Sequence, residues 1–410
     1  MKILLSTFVA LFLLISISEL KAQDKNWFQV YGFAMTDMGY NANQIHPDWY
    51  DVVRPTKLPT YKNEYGTDGN VFFSVRQTRF GVKSSTQTAM GELFTQFEWE
   101  LFGTGVDAGQ TTFRLRHAYG ELGSVGVGQT WSPFMDIDVF PNSFEYWGPN
   151  GMVFFRNIQI RWMPIKGDTR LTLALERPGA SGDQGVYSEY GQLSGIRSKF
   201  PVPDFSAEYR SAHDWGYIEL AGIVRYIEWV DQLEDQYDLS GNALGYGLNF
   251  SSNIKFSKND VLRLSFVYGE GIQNYMNDAP VDVAIQNNPD NTTKPIEGVA
   301  LPMYSAVVFL DHNWNEKFST AIGYSMLNID NSNGQDYTAF HQGQYALANL
   351  AYYPVPNVMM GAEVQWAMRD NFNNLEEDGE YQYPSDYLKT ADIIKVQFSF
   401  KYNFSHKVLF

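Results

Sequence analysis

The chain has 410 residues, a formal charge of −16 and no cysteine. The lack of cysteine excludes a small disulfide-stapled scaffold and any thiolate-ligated metal site. Aromatic residues make up 16% of the chain, although its overall apolar content is ordinary. The arrangement of the residues, rather than their proportions, therefore has to indicate the fold.

The N-terminus has the layout of a secretory signal peptide. A basic Lys2 precedes an apolar run from Ile3 to about Ile17, and small and polar residues follow up to Ala22. The alternative is a transmembrane anchor, but the run is short for one. We therefore expect a signal peptide over residues 1–22 and a single barrel domain over residues 23–410. Because residues 1–22 carry a net charge of +1, the mature chain has a charge of about −17.

Polar and apolar residues alternate along most of the remaining chain. In the closing stretch "DIIKVQFSFKYNFSHKVLF", for example, Ile394, Val396 and Phe398 oppose Lys395 and Gln397. Strict alternation is typical of a β-strand that presents one apolar and one polar face. The alternation predicts strands near residues 28–40, 72–84, 90–102, 112–122, 124–132, 154–164, 168–177, 204–212, 215–228, 240–256, 260–271, 301–312, 317–328, 342–353, 357–369 and 391–405.

Short turns and long polar loops alternate between these strands, which predicts that all the long loops lie at one end of the sheet. An antiparallel sheet of about 16 strands is expected to close, because closure removes its unpaired edges. In a membrane the apolar face of such a barrel points outward and the polar face lines the lumen. A barrel this wide cannot be filled by its own side chains, so a polar, water-holding lumen is favoured. We therefore predict an all-β transmembrane antiparallel β-barrel of the bacterial outer membrane, with short periplasmic turns and long extracellular loops. The alternative is a soluble, secreted β-rich binding protein.

Two stretches resemble the DcaP-like porins of Gram-negative bacteria: "SVRQTRFGVKS" at 74–84 and "RLRHAYGELGSVGVGQTWSPFMDID" at 114–138. The resemblance implies a trimeric barrel of 16 strands that admits small organic anions such as dicarboxylates. Outer-membrane barrels commonly end in phenylalanine, so Phe410 resembles the signal that the barrel-assembly machinery reads during insertion. Some members carry a helical segment before the barrel. Here the first strand is expected at about Phe28, so no role of that segment in trimerisation is expected.

Arginines are the first candidates for a site that selects solutes. Seven of the 14 arginines lie between residues 71 and 170, and guanidinium groups bind carboxylates through paired hydrogen bonds. We expect a ladder of them to line the lumen: Arg79, Arg114, Arg116, Arg161 and Arg170. The alternative is structural, because pairing of the strands at 90–102 and 112–122 places Glu98 and Glu100 beside Arg114 and Arg116. Residues 71–170 contain nine basic and nine acidic residues, so an anion preference requires local segregation of charge.

Parity also assigns two side chains near this ladder. Arg76 and Arg79 have opposite parity, so only one of them can face the lumen of a regular strand. We assign the inward position to Arg79, because Phe80 and Val82 then face lipid. His117 has the parity of the lipid face.

The loop "SPFMDIDVFPNSFEYWGPNGMVFF" after the strand at 124–132 is the second candidate. It combines Asp136, Asp138 and Glu145 with bulky aromatic residues. We expect it to fold into the barrel and to form one wall of the constriction, with its carboxylates facing the arginines across the lumen. The alternative is an extracellular or trimer-contact loop.

The remaining features indicate no chemistry. No hydrolase, phosphate-loop, zinc-protease or dinucleotide motif is present in the sequence, and the six histidines are scattered. We expect no catalytic residue, metal, cofactor or nucleic-acid partner. The acidic long loops are interpreted as solvated surfaces, with binding of lipopolysaccharide through divalent cations as the alternative. The predicted function is passive diffusion of small hydrophilic solutes with a mild preference for organic anions. The alternative is a non-selective porin, or a cation-preferring one whose preference follows from the negative net charge.

Overall fold

The computed structural model describes residues 26–375 and 382–410. The predicted signal peptide at residues 1–22 lies outside the described residues. Within them the strands are β1 (Trp27–Asn41), β2 (Asn70–Ser74), β3 (Arg79–Thr88), β4 (Gly91–Phe102), β5 (Thr111–Leu122), β6 (Val125–Trp131), β7 (Arg156–Ile165), β8 (Arg170–Glu176), β9 (Gly182–Asp183), β10 (Ile196–Lys199), β11 (Asp204–His213), β12 (Gly216–Asp231), β13 (Gly241–Lys255), β14 (Asp260–Glu270), β15 (Val283–Asn287), β16 (Ile296–Ala300), β17 (Pro302–Asn315), β18 (Phe318–Ile329), β19 (Phe340–Tyr352), β20 (Val358–Asn371) and β21 (Thr390–Leu409).

Short 3₁₀ helices occur in the connections, at Pro47–Trp49, Pro55–Lys57, Gly105–Asp107, Ile137–Val139, Gly185–Tyr187, Gly191–Gly195 and Gln273–Tyr275. In the part of the chain that the structure describes, no helix has both the length and the hydropathy that a membrane-spanning helix needs.

The strands form a closed antiparallel barrel with sixteen strand positions around its wall. Each strand of the wall pairs with the next wall strand along the chain. Strands β2 and β3 share one position, and β10 extends the position of β11. The barrel closes where β1 pairs with β21, from Trp27 opposite Leu409 to Asn41 opposite Lys395. The predicted fold and strand number are therefore confirmed. The strands β9, β15 and β16 form a small sheet that is separate from the barrel sheet and was not predicted.

Short turns and long connections lie at opposite ends of the barrel. The β5–β6 turn is Gly123-Ser124, and the β11–β12 turn is Asp214-Trp215. Phe410 lies at the short-turn end, where its amide donates to the carbonyl oxygen of Asn26 at 2.9 Å. Three of the long connections at the other end fold into the barrel, and we name them L1 (residues 42–69), L3 (residues 132–155) and L6 (residues 271–301).

The two faces of the wall have the polarity expected of a barrel in lipid. On β13 and β14 the outward side chains are apolar and exposed, as for Leu248 at 57% and Phe266 at 51%. Inward polar side chains are buried, as for Ser251 on β13 and Gln397 and Ser399 on β21. A soluble barrel would show the reverse arrangement.

The lumen contains an apolar core that the sequence did not predict. L1, L3 and L6 fold inward and bury Leu58, Phe134, Met152 and Tyr275 against one another and against wall residues such as Val267. These loops carry too many apolar side chains to remain in water, and packing them together removes that surface from solvent. The expectation of a lumen lined only by polar groups and water is therefore wrong for this part of the barrel.

Arg79 points inward as the parity predicted, but two local irregularities overturn the parity assignments of Arg76 and His117. The predicted strand at 72–84 is interrupted between β2 and β3 by a turn, in which the Thr78 amide donates to the Val75 carbonyl at 3.0 Å. Arg76 is consequently fully buried inside the barrel, although Arg79 also points inward. On β5 a bulge opposite Glu98 leaves both Arg116 and His117 buried on the inner side. The extra residue of a bulge shifts the parity of the strand, so the lipid-facing assignment of His117 is wrong.

Candidate constriction site

A cluster of four arginines and two glutamates lies on the inner wall of β3, β4, β5 and β7. Antiparallel pairing of β4 with β5 brings Arg116 between the two carboxylates, with Nε 2.6 Å from Glu98 and Nη1 2.6 Å from Glu100. Arg114 lies 3.0 Å and Arg79 3.3 Å from Glu100. We call these residues, together with Arg156 at 3.7 Å from Glu100, the arginine cluster. Both the predicted ladder and the predicted cross-strand pairs describe part of it.

The arginine cluster carries an excess of two positive charges. Glu100 and Arg116 are almost completely buried, whereas the side chains of Arg79 and Arg114 remain 24% and 21% exposed to the lumen. Within the described structure, Nε of Arg79, Nε of Arg114 and Nη1 of Arg156 have no hydrogen-bond partner. The cluster is therefore not fully neutralised, and two of its guanidinium groups are partly exposed on the inner side of the wall.

Tyr146 connects L3 to the arginine cluster. Its hydroxyl donates to Glu100 and accepts a hydrogen bond from Arg114 at 3.2 Å. Its ring stacks on Phe102 with the centroids 4.0 Å apart and the planes 9° apart. The loop thus reaches the cluster through an aromatic side chain rather than through a carboxylate.

The carboxylates at the start of L3 contact a different arginine. Asp136 and Asp138 lie 2.6 Å and 2.5 Å from the two terminal nitrogens of Arg210 on β11. Asp136 also accepts hydrogen bonds from Tyr217 and Ser251, each at 2.6 Å. These contacts bind the loop to the wall formed by β11, β12 and β13. The expectation that both aspartates face the arginine ladder across an open lumen is therefore wrong.

Arg170 belongs to the same wall. Its guanidinium pairs with Glu208 and, at 3.0 Å, with Glu219, which also pairs with Arg210 at 2.6 Å. The structure thus separates Arg170 from the arginine cluster and places it in a second ion-pair network, which is acidic overall.

Glu145 lies in a third place, against the wall of β20 and β21. Its carboxylate accepts hydrogen bonds from the amides of Val53 in L1 and Gly148 in L3, the former at 2.9 Å. Glu363 on β20 in turn accepts from the amides of Phe144 and Glu145, at 2.8 and 3.0 Å. Complete burial raises the pKa of the Glu145 carboxyl above its ordinary value. This residue holds the loop tip and does not face the arginines.

Arg54 fixes the three inward loops to one another. Its guanidinium lies between the rings of Trp49 in L1 and Trp147 in L3, at 4.1 and 4.0 Å from their centroids. It also pairs with the buried Asp278 of L6 at 2.7 Å. Because each contact comes from a different loop, this residue stabilises the packing of the three loops against one another.

Arg161 is the one predicted ladder residue left outside these networks. It lies on β7, where Nε donates to Gln159 at 3.0 Å and Nη2 donates to the carbonyl of Trp131. It borders a cavity of about 240 Å³ between L3 and the wall of β5 to β8 and β11.

The structure adds charged residues that sequence reasoning missed. Arg210, Arg225 and Glu363 all hold inward loops, Arg225 through Asp282 of L6 at 2.9 Å. Strand parity was a usable signal, because each lies on the polar face opposite exposed apolar neighbours. The identity of their partners had no local signal.

In the described part of the chain, no group of three or more histidine, cysteine, aspartate or glutamate residues is arranged to hold a metal ion.

A closed antiparallel barrel with an apolar outer face and with loops folded into its lumen defines the class of outer-membrane channels called porins. The sequence matches the DcaP outer membrane protein family over residues 22–381, so the chain belongs to that family. Its predicted location in the bacterial outer membrane is confirmed, and the alternative of a soluble secreted protein is wrong.

Solved structures agree with this assignment. The chain is similar to the outer membrane channel DcaP of Acinetobacter baumannii, with a TM-score of 0.71 and 19% identity over 95% of this chain and 100% of that chain. An anion-selective porin from Comamonas acidovorans gives a TM-score of 0.58 and 9% identity over 93% and 100%. OmpT of Vibrio cholerae gives 0.54 and 11% over 94% and 100%. Identities this low establish the fold alone. No curated protein matches the sequence significantly.

Proposed function

We propose that this porin passes small hydrophilic solutes with a mild preference for organic anions, and that it catalyses no reaction. The observation that supports the preference is the arginine cluster, in which four guanidinium groups surround two carboxylates and two of the guanidinium groups remain exposed to the lumen. A carboxylate solute can exchange part of its hydration for hydrogen bonds to these groups.

The acidic groups of L3 oppose this preference less than their number suggests. Asp136 is buried and paired with Arg210, and Glu145 is buried in the anchor beside β20. Asp138 is the exposed carboxylate, at 49% of its side chain, and it also pairs with Arg210. The field in the narrow part of the lumen is therefore proposed to follow the arginine cluster and not the net charge of the chain, since charges on the outer loops are screened within about 8 Å.

The size of the effect follows from Coulomb's law. A guanidinium about 5 Å from a permeating ion contributes roughly 0.4 kcal/mol in water after screening at physiological salt. An anion gains what a cation loses, so one charge changes the anion-to-cation permeability ratio roughly fourfold.

Charge removal at the cluster tests the proposal. The double variant Arg79→Gln, Arg114→Gln removes both exposed charges, and we expect its reversal potential in a KCl gradient to move strongly toward cation preference. The matched control is Arg177→Gln, Arg197→Gln, which removes two arginines from the connection between β8 and β11. An equal shift in the control would show that general charge, and not the cluster, sets the preference.

We propose that residues 1–22 are removed on export and that Phe410 is read by the barrel-assembly machinery. We also propose that the protein assembles as a trimer, as the outer membrane protein OmpT of Vibrio cholerae does in its trimer form. Mass spectrometry of the mature N-terminus tests the removal of residues 1–22, and light scattering of the detergent-solubilised protein tests the trimer. The acidic outer loops are proposed to be solvated surfaces, with binding of lipopolysaccharide through divalent cations as the alternative, which release by EDTA would support.

A further inference from the structure

The cavity beside Arg161 is built differently from the arginine cluster. It has a volume of about 240 Å³ and lies beneath the first part of L3, where Met135 and Ile137 form its roof. It reaches the short-turn end of the barrel at Lys166 and Gly167, in the β7–β8 turn. A solute that enters or leaves at this end therefore meets the cavity.

The charged groups that line the cavity leave one positive charge uncompensated. Lys166 pairs with Glu121 at 2.6 Å, and Arg170 pairs with Glu208. Within the described residues, Arg161 has no carboxylate at ion-pair distance, since its contacts are Gln159, the Trp131 carbonyl and the ring of Tyr119.

The contacts of Arg161 also fix its orientation. Nε and Nη2 are used by protein acceptors, and the guanidinium carbon lies 5.2 Å from the centroid of the Tyr119 ring. Nη1 makes no hydrogen bond within the described residues and can donate to a ligand. A charged donor that is already held in place loses little conformational entropy when it binds a carboxylate.

Beside its five charged residues, the lining of the cavity contains five apolar ones. Met135 and Ile137 of L3 face the cavity together with Met163 and Ile165 of β7 and the indole of Trp131. A fully hydrophilic dicarboxylate would leave these groups without a partner. A volume somewhat below the range of about 300–1,000 Å³ for drug-sized ligands suits a smaller solute.

We propose that this cavity is a binding subsite for small monocarboxylates with an apolar body, such as an aromatic carboxylate. The carboxylate binds Arg161, and the apolar body packs on Met135, Ile137 and Met163. The subsite deepens the proposed function, on which it rests for the passage of organic anions, by naming the class of anion that the channel holds most strongly.

Block of single-channel current in planar bilayers tests the subsite. Benzoate is added on the short-turn side in symmetric KCl, with benzamide as the neutral analogue and succinate as the hydrophilic dianion. We expect benzoate to block the wild-type channel reversibly and more strongly than succinate, and benzamide to block weakly. Loss of one charge-assisted hydrogen-bonding partner should weaken benzoate block about tenfold in Arg161→Gln.

Two further variants complete the design. Arg161→Lys keeps the charge but loses the contacts to Gln159 and to the Trp131 carbonyl that hold the donor in place, so an intermediate affinity is expected. Arg197→Gln removes an arginine outside the barrel lumen, and benzoate should block this variant as strongly as it blocks the wild type. Heat-modifiable gel mobility reports folding, and if Arg161→Gln fails to fold, the comparison of Arg161→Lys with the wild type decides.

Four results would overturn the subsite: no benzoate block of the wild type, equal benzoate block in the wild type and the folded Arg161 variants, equal block by benzamide, or succinate block as strong as benzoate block. The reversal potential, measured in the same bilayers, separates this inference from the proposed function. Anion preference without benzoate block overturns the subsite alone, whereas cation preference with Arg161-dependent block overturns the proposed preference alone.

Discussion

The anchor of L3 on Arg210 gives a sharp prediction, because two aspartates on one loop pair with the same arginine but differ in burial. The side chain of Asp136 is fully buried and that of Asp138 is 49% exposed. Breaking a buried pair by removing one partner costs about 3–5 kcal/mol, whereas an exposed pair is worth about 0–1 kcal/mol. Since Arg210 keeps Glu219 as a partner, we take the lower end for Asp136→Asn.

Hydrogen exchange measured by mass spectrometry on peptides that cover residues 132–147 reads the free energy of local opening directly. A loss of about 3 kcal/mol in Asp136→Asn accelerates exchange there roughly 100-fold, whereas Asp138→Asn should change it less than about fivefold. Peptides that cover the turn between β3 and β4, whose flanking residues bond to β4 and to Asn26, serve as the internal control and should be unchanged in both variants. Equal acceleration in the two variants, or a larger effect in Asp138→Asn, would refute the assignment of Asp136 as the anchor.

Three further outcomes follow from the same structure. Burial raises the pKa of Glu145 above its ordinary value of 4.5, so the carboxyl stabilises the L3 tip fully below pH 4.5 and loses this stabilisation as the pH rises through the raised pKa. Hydrogen exchange of residues 141–148 should therefore accelerate with pH by more than the intrinsic exchange rate does. A Glu145→Gln variant whose exchange shows the same extra acceleration would contradict the assignment. Arg54→Ala breaks the buried pair with Asp278 at a cost of about 3–5 kcal/mol. The variant should loosen the three inward loops and so raise the single-channel conductance. Unchanged conductance in a folded variant would show that the loops do not narrow the path of the solute through the lumen. Phe410 is 68% exposed, so Phe410→Ser should leave the unfolding midpoint of the refolded barrel equal to that of the wild type within error. The same variant should lower the amount of protein assembled in the outer membrane severalfold, as quantified by immunoblot. A lowered unfolding midpoint with normal assembly would assign Phe410 a structural role instead.

The barrel could be predicted because its signals are local. Each strand alternates residue by residue, and the alternation of turn lengths fixes the topology without any knowledge of distant contacts. Even the pairing of Glu98 and Glu100 with Arg114 and Arg116 needed only two adjacent strands.

The interior could not be predicted in the same way. The bulge at Arg116 and His117 depends on how β5 meets β4, and parity counting assumes that no such shift occurs. The partners of Asp136 and Arg54 lie more than 70 and 220 residues away in the sequence, where periodicity carries no information. The inward packing of L1 and L6 likewise depends on long-range apolar contacts, and loop sequences lack the repeat that would reveal them.

The central claim is that the arginine cluster gives the narrow part of the lumen a preference for anions. The most direct test is the reversal potential of the wild-type protein in planar bilayers across a tenfold KCl gradient. We predict the sign of chloride preference, with a magnitude that grows as salt is lowered and screening weakens. A reversal potential with the sign of potassium preference, or one of zero at all salt concentrations, would contradict the claim.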